Sequence, residues 1–186
     1  MGEEYIRAFI AIDIPGEMLS PLREELGRLR GRIKVVEEQN THLTLKFLGN
    51  IKESAVPRVA EAVQECVHGQ KKFSALIKGV GVFPSLSRAR VFWVGVESDG
   101  IIENMAECID EELHRLGYPR ESKRFVPHIT VARIKYLNDR GRLRKIVNAY
   151  LPHVFGEVIV DSVRVKKSVL SSRGPTYYTL SEIKLG

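Results

Sequence analysis

Two short segments of this 186-residue chain hold the residue types that general acid–base chemistry needs, in one pattern written twice. Thr41-His42-Leu43-Thr44-Leu45 and Pro127-His128-Ile129-Thr130-Val131 both read His-apolar-Thr-apolar. Each lies in a stretch that alternates like a strand, where side chains two residues apart share a face. His42 and Thr44 are therefore expected on one face, with Leu43, Leu45 and Phe47 on the other. His128 and Thr130 likewise oppose Ile129 and Val131. Each copy offers one imidazole and one hydroxyl to the same space, over an apolar backing that a core can hold. Imidazole titrates near pH ~6.5, so its acid and base forms are both available near neutrality. Two copies facing each other would supply an acid, a base and two hydroxyl donors, which suits the opening of a phosphodiester without a metal.

Other residues compete poorly for such a role. His68 ends a predicted helix, His114 lies on one, and His153 follows Pro152 in a loop, all surface or capping positions. Two histidines with no Cys, Asp or Glu at ligand spacing give too few donors for a metal, so neither a metal nor a cofactor is expected. Lys46 falls on the predicted face of His42 and Thr44, where it could attract phosphate; a surface lysine laying its stem along the sheet is the alternative. Trp93 and Tyr178 read as core or cleft wall.

The elements that must position these residues follow from periodicity. Ile6, Ile10 and Ile12 alternate over residues 5–13 as a strand. Leu19, Leu22, Leu26 and Leu29 recur at helical spacing, with Ser20-Pro21 as candidate N-cap and first position. Short strands are predicted at 34–37 and 42–48. A helix from about Ser54 carries Val56, Val59, Val63 and Val67, tolerates Pro57 in its first turn and stops at Gly69. Strands at 73–83 and 89–97 flank Pro84-Ser85-Leu86-Ser87-Arg88. A helix with Ile102, Met105, Ile109, Leu113 and Leu116 in register stops at Gly117 and Pro119. A strand at 127–135 carries the second motif, a basic helix spans about 138–150, and two last strands are predicted at 157–170 and 176–185. The order β-α-β-β-α-β-β-α-β-α-β-β is no strict βαβ alternation, so an α+β fold with antiparallel sheets is expected. The motif histidines lie 86 residues apart, and each motif is followed by a helix. That echo predicts two similar lobes related by a pseudo-two-fold, with the histidines meeting in the cleft between them, within a single domain over residues 1–186.

Composition sets the class. Hydrophobic content of 44% and charged content of 28% suit a soluble globular protein. No apolar run approaches a membrane span, and the acidic opening Met1-Gly2-Glu3-Glu4-Tyr5-Ile6 has no signal-peptide core, so a cytoplasmic monomer is the default expectation. Cys66 and Cys108 have no CxxC partner and are expected as buried reduced thiols. The net charge of +6 is unevenly spread: residues 120–145 hold nine basic residues against Glu121 and Asp139. That window contains the second motif, and it fits either a nucleic-acid-facing patch or a solvated helix face.

The paired motifs resemble the duplicated HxTx signature of the 2H phosphoesterase superfamily. The flanking segments RAFIAI at 7–12, THLTLKFLG at 41–49, GVFP at 81–84, VFWVGV at 91–96 and PHITVAR at 127–133 are similar to its RNA 2′,3′-cyclic phosphodiesterase branch, whose members have also been named 2′-5′ RNA ligases. The resemblance spans nearly the whole chain. It implies a bilobal α+β fold with two antiparallel sheets, flanking helices and a metal-free cleft. It implies that His42, His128, Thr44 and Thr130 are catalytic and that RNA ends bearing a 2′,3′-cyclic phosphate, on tRNA halves or short oligonucleotides, are hydrolysed to 2′-phosphates. It also implies that Arg133 contacts the phosphate and that Phe9 packs against the nucleoside. Strict alternation from His128 puts Arg133 on the wrong face, so a bulge, a strand end or a long reach is required. Ligation by an incoming 5′-hydroxyl in the same site and a non-catalytic RNA-binding module are the competing functions.

Overall fold

The structure, a computed structural model, describes residues 2–186; Met1, where the acidic opening segment begins, lies outside them. Nine strands and four α-helices are arranged along the described residues. The strands are β1 (Tyr5–Asp13), β2 (Gly31–Val35), β3 (His42–Lys52), β4 (Phe73–Phe83), β5 (Val91–Glu97), β6 (His128–Leu137), β7 (Val154–Val160), β8 (Ser162–Ser171) and β9 (Gly174–Lys184). The helices are α1 (Ser20–Gly27), α2 (Val56–Val67), α3 (Ile101–Arg115) and α4 (Arg140–Tyr150). Among the described residues, no helix is long and apolar enough to cross a membrane.

Every strand pairing is antiparallel, in the order β7-β4-β5-β6-β3-β1-β8-β9, with β2 also on β6. The path is thin at its middle, where β3 and β6 share the single pair Leu43↔Ile129. The two expected antiparallel sheets are thus two arms, β3-β1-β8-β9 and β6-β5-β4-β7, joined at the two motif strands. The arms exchange strands between the halves of the chain: the first takes β8 and β9 from the C-terminal half, and the second takes β4 from the N-terminal half. Helices α2 and α3 cover the first arm, and α1 and α4 the second.

The helices form where their apolar stripes demand. α3 buries Ile102, Met105, Ala106, Ile109 and Leu113 on one face, and each large side chain so buried contributes about 1.5–3 kcal/mol. The Ser98 hydroxyl accepts a 3.0 Å bond from the Ile102 amide, satisfying a donor at the start of α3. Pro21 and Pro57 sit in the first turns of α1 and α2, where no backbone donor is lost. Leu19, not Ser20, occupies the N-cap of α1, and its side chain is buried.

Three further expectations are corrected. The strand predicted at 34–37 is β2, Gly31–Val35, with Ile33 and Val35 turned inward against the partner strand. The strand predicted at 157–170 is two strands in different arms: β7 pairs with β4 and β8 with β1. Its apolar alternation changes phase at Asp161, from Val158 and Val160 to Val163 and Val165, which is where the chain crosses between arms. Cys66 and Cys108 are joined in a disulfide between α2 and α3, with Cα atoms 5.7 Å apart. The side-by-side packing of those helices brings together thiols 42 residues apart.

Candidate active site

Both motif strands carry the same irregularity at the same place. On β3, Ala11 pairs with Thr44 but Ile10 pairs with Lys46, so Leu45 is an extra residue. On β6, Trp93 pairs with Thr130 but Phe92 pairs with Ala132, so Val131 is extra. A bulge of this kind resets the alternation by one residue. Two consecutive residues therefore point into the core on each strand, Leu45-Lys46 and Val131-Ala132, all buried. Phe47 and Arg133 return to the face of the histidines, and both are exposed. The bulge resolves the difficulty of Arg133. It also overturns the readings of Phe47 as a core residue and of Lys46 as a cleft residue. Lys46 is 3% exposed and belongs to the opposite face. Its Nζ donates to Asp110 Oδ1 at 2.5 Å and to the Pro119 carbonyl at 2.6 Å.

The two histidines are held alike. His42 Nδ1 lies 2.7 Å from the Asn40 carbonyl and His128 Nδ1 lies 2.6 Å from the Val126 carbonyl, two residues back in each case. A carbonyl can only accept, so Nδ1 carries the hydrogen and Nε2 is the nitrogen left for chemistry. The Leu43↔Ile129 pair, continued by one residue each way, sets His42 opposite Thr130 and Thr44 opposite His128 on one face. Aromatic rings fix each imidazole from the sides. Phe9 and Tyr177 stand 5.2 and 5.1 Å from His42, centroid to centroid. Phe83 and Trp93 stand 5.2 and 6.2 Å from His128. Trp93 lies so close over β4 that a Cβ on Gly81 would overlap its indole and stand 2.7 Å from Cη2.

Burial, first, and the nearby cations Lys166 and Arg133 hold the His42 imidazole below its ordinary value, against the opposing pull of the Asn40 carbonyl and Asp13. Arg133 therefore acts on His42 across the cleft, although the two residues sit on different arms. Burial raises the Tyr177 phenol, with Arg133 and Arg7 opposing. Asp13, paired in register with His42, accepts from Lys166 at 2.6 Å and from Arg164. Its carboxylate is thereby committed to two cations within the first arm.

Phe9 is 3% exposed, yet its contacts are the cleft rings of His42, Phe47 and Tyr177. The structure thus brings together His42, Thr44, His128, Thr130, Arg133 and Phe9 from the sequence reading, and removes Lys46. Tyr178 is also removed from any core or cleft role: it is exposed, with the Lys167 ammonium 5.7 Å from its ring. Sequence reasoning missed Tyr177, Phe47, Phe83 and Lys166. The Tyr177-Tyr178 pair announces one ring per face of β9, but only the register Ser168↔Tyr177 decides which. His68, His114 and His153 stand apart from the cluster: His68 at the end of α2, His114 bonding the Tyr118 carbonyl at 3.1 Å, and His153 packed on Tyr150 and Phe155.

Two antiparallel arms meeting at a duplicated His-x-Thr cluster define a 2H-type phosphoesterase. The family model described as LigT like Phosphoesterase matches twice, over residues 12–93 and 94–177, one match per motif. The chain belongs to this LigT-like phosphoesterase family. A Thermotoga maritima relative named RNA 2′,3′-cyclic phosphodiesterase is 37% identical over 180 residues, covering 95% of this chain and 94% of the relative. An Archaeoglobus fulgidus protein of the same name is 36% identical over 178 residues, covering 94% and 98%. Among solved structures, TT0787 of Thermus thermophilus superposes with a TM-score of 0.81 at 29% identity, covering 97% of this chain and 98% of that one. E. coli LigT complexed with 3′-AMP shares the fold at a TM-score of 0.73 and 23% identity, covering 98% and 99%.

Proposed function

We propose that this protein hydrolyses RNA ends bearing a 2′,3′-cyclic phosphate to 2′-phosphomonoesters, without a metal, by paired histidine catalysis. The observation that carries the reading is the matched pair of imidazoles, each pinned through Nδ1 to a carbonyl with Nε2 free. The names of the relatives support the substrate. His42, held neutral by burial and neighbouring cations, takes a proton from water through Nε2 as the water oxygen attacks phosphorus. His128, as imidazolium, gives its Nε2 proton to the ribose O3′ as the P–O3′ bond breaks. The 2′-phosphate product then carries the water oxygen, and the exchanged proton returns through solvent. Each proton transfer is worth about 10²–10⁴ in rate. Thr44 and Thr130 donate to the non-bridging oxygens, whose charge grows in the transition state, and Arg133 neutralises it further. Phe47 and Tyr177 pack the terminal nucleoside, with the buried Phe9 ring backing them.

The test is a short RNA ending in a 2′,3′-cyclic phosphate, incubated with the protein and EDTA, with the product end identified. A 2′-phosphate end is expected. A 3′-phosphate end, or turnover that needs added metal, overturns the reading.

A further inference from the structure

The proposed reaction concerns one terminal phosphate, yet cations continue beyond it. At the far end of β6 the chain forms a groove of ≈ 200 Å³, lined by Leu86–Arg90, Lys135, Tyr136, Leu137 and Arg140. Four of those side chains are cationic and none is acidic: Arg88, Arg90, Lys135 and Arg140. All four are exposed, and none forms an ion pair among the described residues. What sets the groove apart is that four such cations line one concavity with no carboxylate among them. Unmatched like charges gathered in one groove repel each other, so the arrangement is favourable when a polyanion lies there.

The groove is built onto the site. Lys135 follows Arg133 by two residues, about 7 Å along a strand. Val91 pairs with Arg133, and the Arg90 carbonyl accepts from the Ile134 amide at 2.8 Å. The Arg90 guanidinium donates to the Lys135 carbonyl, tying the β4–β5 connection to the end of β6. A second bulge, at Lys135, lets Tyr136 pair with Arg32 on β2. Tyr136 is 56% exposed and stands among the cations that line the groove. Cations that track a backbone beside an exposed ring are the elements of single-strand binding.

We infer that this groove is a second subsite that holds the RNA strand 5′ of the cyclic end, so that the enzyme prefers an oligonucleotide to a mononucleotide. The inference rests on the proposed hydrolysis for the location of the cyclic end. Phosphates of the penultimate nucleotides meet Arg88, Lys135 and Arg140, and a base stacks on Tyr136. Nothing in the groove has hydrogen-bonding groups fixed by burial for reading base edges, so the preference is for length and not for sequence.

The experiment compares a nucleoside 2′,3′-cyclic monophosphate with a hexanucleotide ending in the same group. Wild type and an Arg88→Gln/Lys135→Gln/Arg140→Gln variant are assayed over a range of salt. Arg90 is kept because it ties the backbone. The variant should turn over the mononucleotide as wild type does, while its KM for the hexanucleotide rises at least tenfold at low salt. The slope of log KM against log salt should fall by about 2, at ~0.7 per cation for single strands. Equal KM values for the hexanucleotide, or equal losses on both substrates, overturn the subsite. Fluorescence anisotropy of a labelled hexanucleotide with a 3′-phosphate is measured alongside. If wild type hydrolyses neither substrate, the proposed reaction fails, and the binding difference between wild type and variant still decides the groove.

Discussion

Lys46→Met separates the buried position of this lysine from a phosphate-binding one. Lys46 and Asp110 face each other beneath β3, with Asp110 also accepting from Arg120 Nε at 2.9 Å and from the Glu121 amide at 3.1 Å. Methionine fills a similar volume, so the loss is the ammonium and its two bonds. Breaking one side of a buried pair costs about 3–5 kcal/mol. Arg120 and the Glu121 amide still serve Asp110, so a value of about 3 kcal/mol is expected. For a chain of this size that is a fall of roughly 6–12 °C in Tm, at about 2–4 °C per kcal/mol. Removing both charges in Lys46→Met/Asp110→Leu leaves no orphan carboxylate and should recover about half of the loss. The sign with pH is also fixed. Burial alone would raise the Asp110 carboxyl, but bonds from Lys46, Glu121 and Arg120 outweigh it and hold it below its ordinary value. Its stabilising contribution is full above its unfolded value of ~3.9 and is lost as pH falls through the lowered folded value. Urea melts of wild type, both single variants (Lys46→Met and Asp110→Leu) and the double variant from pH 3 to 7, with the disulfide kept intact, give the coupling energy and its acid loss. A Lys46→Met variant with unchanged stability and a raised KM for substrate would refute the placement.

Gly81→Ala should act through Trp93 on His128. The new Cβ displaces the indole, overpacking costs about 1–3 kcal/mol, and misplacing the base or acid by about 1 Å costs about 10²-fold in kcat. A further Trp93→Leu substitution should restore stability but not kcat, and kinetics with melts on both variants check this. If His42 is the base, as proposed, the acidic limb of kcat/KM should lie below the ordinary imidazole range of ~6.5. Arg133→Met removes a cation that disfavours the imidazolium and should move that limb to higher pH; no movement contradicts the electrostatic link. The same depressed value costs stability as pH falls below ~6.5, since the unfolded histidine takes up the proton more readily. Reducing the Cys66–Cys108 bridge, which spans 42 residues, should cost about 4 kcal/mol in urea melts with kcat unchanged.

The residues proposed to do the chemistry are the most legible part of this sequence. A His-x-Thr pair alternates over apolar neighbours, and such a pattern needs only the period of a strand to be read. The helices were equally open, because Ile102, Met105, Ile109 and Leu113 fit no other period. What alternation could not reveal was its own interruption. Nothing in Leu45-Lys46-Phe47 or Val131-Ala132-Arg133 marks a bulge, as no Gly or Pro stands there. The bulge arises because each motif strand must pair with β1 or β5 while its inward residues fill a shared core. Strict alternation therefore assigns Lys46 and Phe47 to exchanged faces. Tyr177, Lys166 and the disulfide depend on tertiary pairing across long separations. The split at Asp161 was available in the change of phase from Val160 to Val163.

Paired catalysis by His42 and His128 is tested most directly by replacing each with alanine and following a cyclic-phosphate oligonucleotide in EDTA. Binding is measured in parallel by anisotropy. Each single variant should bind within about threefold of wild type and lose about 10²–10⁴ in kcat, and the double variant should lose little more than the worse single one. Near wild-type turnover by either single variant would contradict the account.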